Sequence, residues 1–162
     1  MAEAWKSPEW RLQTQSILDS YRRWVGEELI PRTGDEIQDA ANLFRAPRVV
    51  VSHNTLDDPV LNYGNQRALA LWEVDIPTLL AMPSRLTAEP VHRDERARLL
   101  RRTSEQGFVD DYRGVRVSST GKRFWIERAT VWNLVSKDGT PAGQAATFED
   151  WQPLQDDELP ES

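Results

Sequence analysis

The chain contains no cysteine and only two histidines among its 162 residues. The first absence excludes a disulfide framework, a thiolate metal site and a cysteine nucleophile. The two histidines, His53 and His92, stand among scattered carboxylates without the spacing of a metal site. No apolar run approaches the ~18 residues of a membrane span. The opening Met1-Ala2-Glu3-Ala4-Trp5-Lys6 has neither the basic flank nor the apolar stretch of a signal peptide, so a cytoplasmic location is expected. A surplus of basic charge is missing too. At a net charge of -6 a general nucleic-acid scaffold is not expected, because phosphate attraction needs excess Lys and Arg. The arginine-rich run from 93 to 102 reads as a solvated helix face, with Asp94 four residues before Arg98.

Catalytic signatures are equally scarce. There is no phosphate-cradling glycine loop, no dinucleotide fingerprint, no His-Glu-x-x-His and no Gly-x-Ser-x-Gly elbow. Ser52 and His53 are adjacent in an extended segment and are expected to point apart; Asp110 and Asp111 are expected to alternate across a strand. No catalytic residue is assigned.

What the chain does carry is a clear change of periodicity. Ser7-Pro8 is a hydroxyl N-cap followed by proline at the first helical position, and Trp10, Ile17, Tyr21, Trp24 and Leu29 then recur at helical spacing. That amphipathic helix is expected to close at Pro31 and Gly34, with a second helix from Asp35 to about Leu43. Arg48-Val49-Val50-Val51-Ser52 is a β-branched run suited to an inner strand, and Val60-Leu61-Asn62-Tyr63 is a second strand. Asn65 and Asp75 are placed as N-caps of short helices, and Pro90 opens a longer helix stopped by Gly107. Three strands follow, at 108–118, 122–135 and 143–151, with turns at Thr120-Gly121 and Asp138-Gly139. The expected fold class is α/β (α+β): a five-stranded antiparallel sheet with helices on one face and an N-terminal helical extension. The expected divisions are 1–42, the helical extension; 43–152, the main domain; and 153–162, an acidic, disordered tail.

That element order looks like a PAS domain, and local motifs narrow it. Val51-Ser52-His53-Asn54, Asn62-Tyr63-Gly64-Asn65, Pro83-Ser84-Arg85-Leu86-Thr87-Ala88-Glu89-Pro90, Gly114-Val115-Arg116-Val117-Ser118-Ser119-Thr120-Gly121 and Gly143-Gln144-Ala145-Ala146-Thr147-Phe148 resemble the MEKHLA domain in their order. This PAS-related family occurs in cyanobacteria and other bacteria, the stand-alone type, and at the end of plant leucine-zipper homeodomain transcription factors. The resemblance spans about residues 7–151 and implies a sensory or regulatory module. Nothing in these residues resembles a DNA-binding region.

Aligned on Gly121-Lys122-Arg123-Phe124-Trp125, the chain also resembles the hairpin of light-sensing flavin PAS domains. Those relatives hold the flavin with two asparagines and a glutamine, and form a photochemical bond to cysteine. Arg116, Ile126 and Ala145 stand at the aligned positions, so no flavin is expected. Haem PAS domains supply a histidine from the long helix; His92 stands at its start, and an exposed first-turn histidine is the favoured reading, so no haem is expected either. His53 is expected to be a hydrogen-bonded loop residue.

Strand alternation then selects a site. It places Arg116 on the face of Phe108 and Tyr112, and Arg128 on the face of Phe124, Ile126 and Trp132. Both sets are expected to face the helices, together with Ala145. If a small molecule binds, two arginines there need a counter-charge, so the expected ligand is a small anion held by Arg116 and Arg128 among Tyr112, Ile126, Trp132 and Ala145. The alternatives are that a β-bulge turns Arg128 to solvent, that Arg116 pairs with Asp110 or Glu89, or that both lie at the sheet margin. The opposite face would carry Val115, Val117, Trp125, Val131, Ala146 and Phe148, too apolar to stay wet. Trp10, Ile17, Tyr21 and Trp24 offer a matching stripe, in the same chain or in a dimer partner's. With Trp125 and Phe148 they form the expected interaction surface. The function expected is thus a sensory or regulatory module that binds a small molecule, a protein partner or a second copy, and signals by non-covalent association. A ligand-free interaction or dimerisation domain is the alternative, and a cryptic enzyme the remote one.

Overall fold

The computed structural model describes residues 4–89 and 93–154. After a short 3-10 turn, Ala4–Lys6, the helix α1 spans Pro8–Val25, and α2 spans Glu36–Phe44. Ser7 caps α1 by accepting the Trp10 amide at 3.2 Å. Gly26, in the left-handed region at φ 89°, ends it by donating to the Arg22 carbonyl at 2.9 Å. The helix therefore stops before the expected Pro31, and Leu29 and Ile30 enter the core from the loop instead.

Strands β1 (Val49–His53) and β2 (Leu61–Gly64) come next, then helices α3 (Gln66–Trp72), α4 (Ile76–Leu80) and α5 (Arg93–Gln106). A 3-10 turn, Ser84–Thr87, lies between the last two helices. Asn65 and Asp75 cap α3 and α4 as the sequence indicates. Asn65 does more than cap. Fully buried, it accepts the Val50 amide at 3.1 Å and donates to the carbonyls of Leu43 (3.2 Å) and Arg48 (2.7 Å), tying α3 to the sheet. Pro90 and His92 lie outside the described residues, as does the tail from 155 onward.

The chain ends in β3 (Phe108–Val117), β4 (Arg123–Val135), β5 (Pro141–Phe148) and β6 (Asp150–Pro153). The sheet is antiparallel in the order β2-β1-β5-β4-β3, and β6 pairs with the first half of β4. Six strands form where five were expected, because a break at Glu149 separates β6 from β5. No helix among the described residues is long and apolar enough to cross a membrane.

Each face of the sheet is covered. On the outer face Trp10, Ile17, Leu18 and Tyr21 of α1 pack with Val50, Tyr63, Trp132, Leu134 and Ala145. Trp10 lies 4.7 Å from Tyr63 between ring centroids, and Tyr21 meets Trp132 edge-on at 5.0 Å. The expected stripe thus finds its cover inside its own chain, and the core runs unbroken across the expected boundary at 43. On the inner face Ala68, Trp72 and Leu99 pack with Val49, Tyr112, Ile126, Val131 and Phe148.

Two irregularities decide which side chain belongs to which face. Val109 pairs with Val131, Tyr112 with Ala129 and Gly114 with Ile126. An extra residue therefore sits in β3 at Asp110-Asp111 and a compensating one in β4 around Arg128, whose φ is 47°. The count by two fails across each bulge. Phe108 and Trp132 lie on the outer face, not beside Arg116, while Val131, Ala146 and Phe148 lie on the inner face. Ala145, opposite Ser52 and Trp132, is outer as well. Asp110 and Asp111, expected to alternate, are both exposed.

Candidate functional site

Between the inner face and helices α3–α5 lies a cavity of about 70 Å³. Its apolar wall includes Leu79, Ile126, Val131 and Phe148, with Trp72 at the end of α3. Trp72 is held by the turn between β3 and β4. The Ser119 amide donates to its carbonyl at 3.0 Å, and Ser118 Oγ donates to the Glu73 carboxylate at 2.8 Å. Thr120 donates to the same carboxylate and Lys122 Nζ lies 3.1 Å from it. These hydroxyl donors and the ammonium hold the Glu73 carboxyl down at about 2.

The polar wall is cationic. Arg116 of β3 is buried at 7% exposure; its Nη1 donates to the Val115 carbonyl at 2.8 Å, and its guanidinium lies 5.3 Å from the Tyr112 ring centroid. Arg96 of α5 is buried at 9% exposure and donates to Ser84 Oγ. Neither has a carboxylate within salt-bridge distance among the described residues. Burial, then the neighbouring Arg116 charge, lowers Arg96 to about 10, so it stays charged at neutral pH.

Tyr112 reaches across this wall because Gly114 has no Cβ; one built there would collide with the phenol oxygen. The Tyr112 hydroxyl is buried without a partner, and burial raises its pKa. Two further unpartnered buried atoms belong to residues of the cavity wall, Trp72 Nε1 and His53 Nε2.

Of the six expected ligand contacts, Arg116, Tyr112 and Ile126 border the cavity by way of the inner face. Ala145 borders it too, although its side chain belongs to the outer cluster. Trp132 is buried under α1, on the other side of the sheet. Arg128 points to solvent with 81% of its side chain exposed, paired with Asp150 at 2.6 Å. The left-handed turn at its own bulge throws it outward.

Arg96 takes the place expected of Arg128. The signal for it was present: Arg96, Leu99 and Thr103 follow helical spacing and are the buried residues of α5. His53 ends β1 and reaches the cavity, where a loop position was expected. Gln144, one residue from Ala145, is the inward residue, and its Nε2 donates to the Leu100 carbonyl, Ser104 Oγ and Asn133 Oδ1 at 3.0–3.1 Å.

The expected interaction surface is largely consumed within the chain. Trp10, Ile17 and Tyr21 are buried, and Trp24 Nε1 donates to the Asn133 carbonyl at 2.9 Å. Phe148 faces the cavity. Trp125 keeps its outward orientation, with the Arg113 guanidinium 4.0 Å from its ring centroid.

A model of the MEKHLA domain matches residues 11–153. The chain belongs to the MEKHLA domain family. Its similarity extends to the homeobox-leucine zipper protein HOX32 of Oryza sativa subsp. indica, 28% identical over 151 residues, which are 90% of this chain and 17% of that protein. The homeobox-leucine zipper protein ATHB-15 of Arabidopsis thaliana is 25% identical over 150 residues, 90% of this chain and 18% of its own. This MEKHLA chain thus spans less than a fifth of the curated relatives it matches.

Solved structures share the fold. A PAS domain from Colwellia psychrerythraea superposes with a TM-score of 0.59 at 13% identity, over 72% of this chain and 94% of that one. A PAS domain solved with ethanol, from a LuxR-family transcriptional regulator of Burkholderia thailandensis, gives 0.52 at 18% identity, over 70% and 95%. A light-oxygen-voltage domain gives 0.53 at 18%, over 73% and 85%. The MEKHLA fold here is PAS-like.

Proposed function

We propose that this MEKHLA domain is a non-enzymatic sensor that binds a small anion between its sheet and helices α3–α5, with Arg96 and Arg116 holding the negative charge. The observation that carries this reading is the pair of buried guanidinium groups on one cavity without a carboxylate partner among the described residues. A buried, unpaired charge costs several kcal/mol, and guanidinium grips carboxylates in two-pronged fashion. A ligand-free interaction domain, the competing reading, has no use for that cost. The occupied state would be read out by a protein partner or a second copy through non-covalent association.

No flavin or haem belongs to this proposal. A cavity of about 70 Å³ is roughly half the ~150 Å³ that admits benzene. The purified protein should be colourless; a stoichiometric absorption band above the tryptophan region would contradict this. His92, the histidine weighed above as a haem ligand, lies outside the described residues.

Native mass spectrometry of freshly purified protein, with an anion panel followed by thermal shift, tests the site. Arg116→Met should abolish anion retention while leaving the melting temperature equal or higher. A collapse of the melting temperature would make Arg116 an internal structural partner and remove the anion from the proposal.

A further inference from the structure

We infer that the anion is a short hydroxycarboxylate whose hydroxyl group donates a hydrogen bond to His53 Nε2 while its carboxylate lies on Arg96 and Arg116. This rests on the anion-sensing reading and narrows it to a chemical class.

His53 Nδ1 lies 2.9 Å from the Asn54 carbonyl oxygen, which can only accept, so Nδ1 carries the proton. Burial and the nearby Arg96 charge lower the pKa of the ring, which is therefore neutral, with Nε2 a bare acceptor. That atom is buried without a partner, and its residue borders the same cavity as both arginines. The other unpartnered atoms there can donate, the Trp72 indole N–H and the Tyr112 hydroxyl, and the two guanidinium groups, which have no carboxylate, are donors only. A plain carboxylate brings acceptors only and would leave Nε2 unmatched. A ligand that answers the whole wall must carry one anionic group and one O–H donor.

Size and charge narrow it further. About 70 Å³ leaves room for only a few non-hydrogen atoms. Leu79, Ile126, Val131 and Phe148 favour a short carbon body over a fully polar oxyanion. A single ligand charge is enough, because Glu95 lies near Tyr112 on the same wall and Asp58 adds a weaker, distant attraction to Arg96 while paired with Arg85 at 3.2 Å.

Calorimetry on the full chain tests the idea with two pairs that differ by one hydroxyl, glycolate against acetate and lactate against propionate. The hydroxy member should bind about tenfold more tightly, the factor expected of one net hydrogen bond to an otherwise unmatched buried group. In His53→Leu that ratio should fall to about one. Should the variant fail to fold, nitrogen NMR of the wild-type imidazole decides: Nε2 should shift with glycolate and not with acetate. Equal binding of glycolate and acetate would mean that a water molecule serves Nε2 and would overturn the inference, leaving the anion site standing. Malonate outcompeting glycolate would overturn it in favour of a second charge. If no member of the panel binds the wild type, the anion-sensing reading fails and takes this one with it.

Discussion

The two faces of the MEKHLA sheet use the same strands for opposite purposes. The outer face meets α1 through interlocked aromatic rings, Trp10 on Tyr63 and Tyr21 on Trp132. Trp10 Nε1, Tyr63 Oη and Trp132 Nε1 are buried there without partners, but among the described residues it buries no arginine. The inner face meets α3–α5 and keeps a cavity bordered by two uncompensated cations and three unpartnered polar atoms. The two faces differ in buried charge: tight apolar packing under α1 lowers the free energy of the fold, and two buried guanidinium groups without a carboxylate partner raise it.

The largest test of that division is removal of α1. Deleting residues through Leu29 exposes Val50, Tyr63, Trp132 and Leu134 at once and should exceed the whole stability of an ordinary domain, about 5–15 kcal/mol. Aggregation or loss of the cooperative melt is the expected readout; a monomer of unchanged stability would break the comparison.

Trp132→Ala is the single-residue version. A fully buried aromatic under α1 should cost about 3–5 kcal/mol in denaturant unfolding. On the other face the sign should reverse. Arg96→Met removes a buried guanidinium without a carboxylate partner and should stabilise by about 1–3 kcal/mol while abolishing anion retention. A destabilised Arg96→Met protein would place Arg96 among the structural residues.

Acid sharpens the comparison further. The folded-state pKa of His53 is lowered, so the unfolded chain binds the proton more readily below its ordinary value of about 6.5. Stability should fall as pH drops below that value, by at most ~1.4 kcal/mol per unit, and His53→Leu should flatten this slope. Glu73 gives the smallest effect. Its carboxyl is lowered from 4.5 to about 2, so its contribution is present above pH 4.5 and lost as pH falls through about 2. Glu73→Gln should erase that acid-range dependence, visible as a change in the pH profile of melting.

Much of this architecture was legible residue by residue. Ser7, Asn65 and Asp75 cap helices where their short polar side chains indicate, because capping depends on a few neighbouring atoms. The apolar stripe of α1 demanded a cover, and so did the sheet. Arg116, Tyr112 and Ile126 are legible as cavity residues because Tyr112 and Arg116 follow the bulge of β3 and Ile126 precedes that of β4, stretches where counting by two still holds. Trp132 takes the face opposite to the expected one because the register cannot be carried through the bulge at Arg128, and Ala146 and Phe148 do so because Ala145, aligned with an inward flavin contact, faces α1 instead. Arg96 was hidden by its setting, a run of arginines whose other members suit a solvated helix face.

Periodicity, caps and turn residues therefore determined by themselves that this chain makes an antiparallel sheet with an amphipathic helix ahead of it and shorter helices between its strands. They act over a few residues and need no partner far along the chain. Which arginines face the cavity was decided only in three dimensions. One extra residue in β3 and another in β4 shift the pairing, turn Arg128 to Asp150 and solvent, and carry Val131 inward and Trp132 under α1. Arg96 arrives from α5, the element directly before β3, because the helix folds back onto that strand, and only that packing puts two like charges on one wall. A strand's faces follow from local alternation, but the position of a bulge and the partner across a cavity depend on residues the local pattern does not contain.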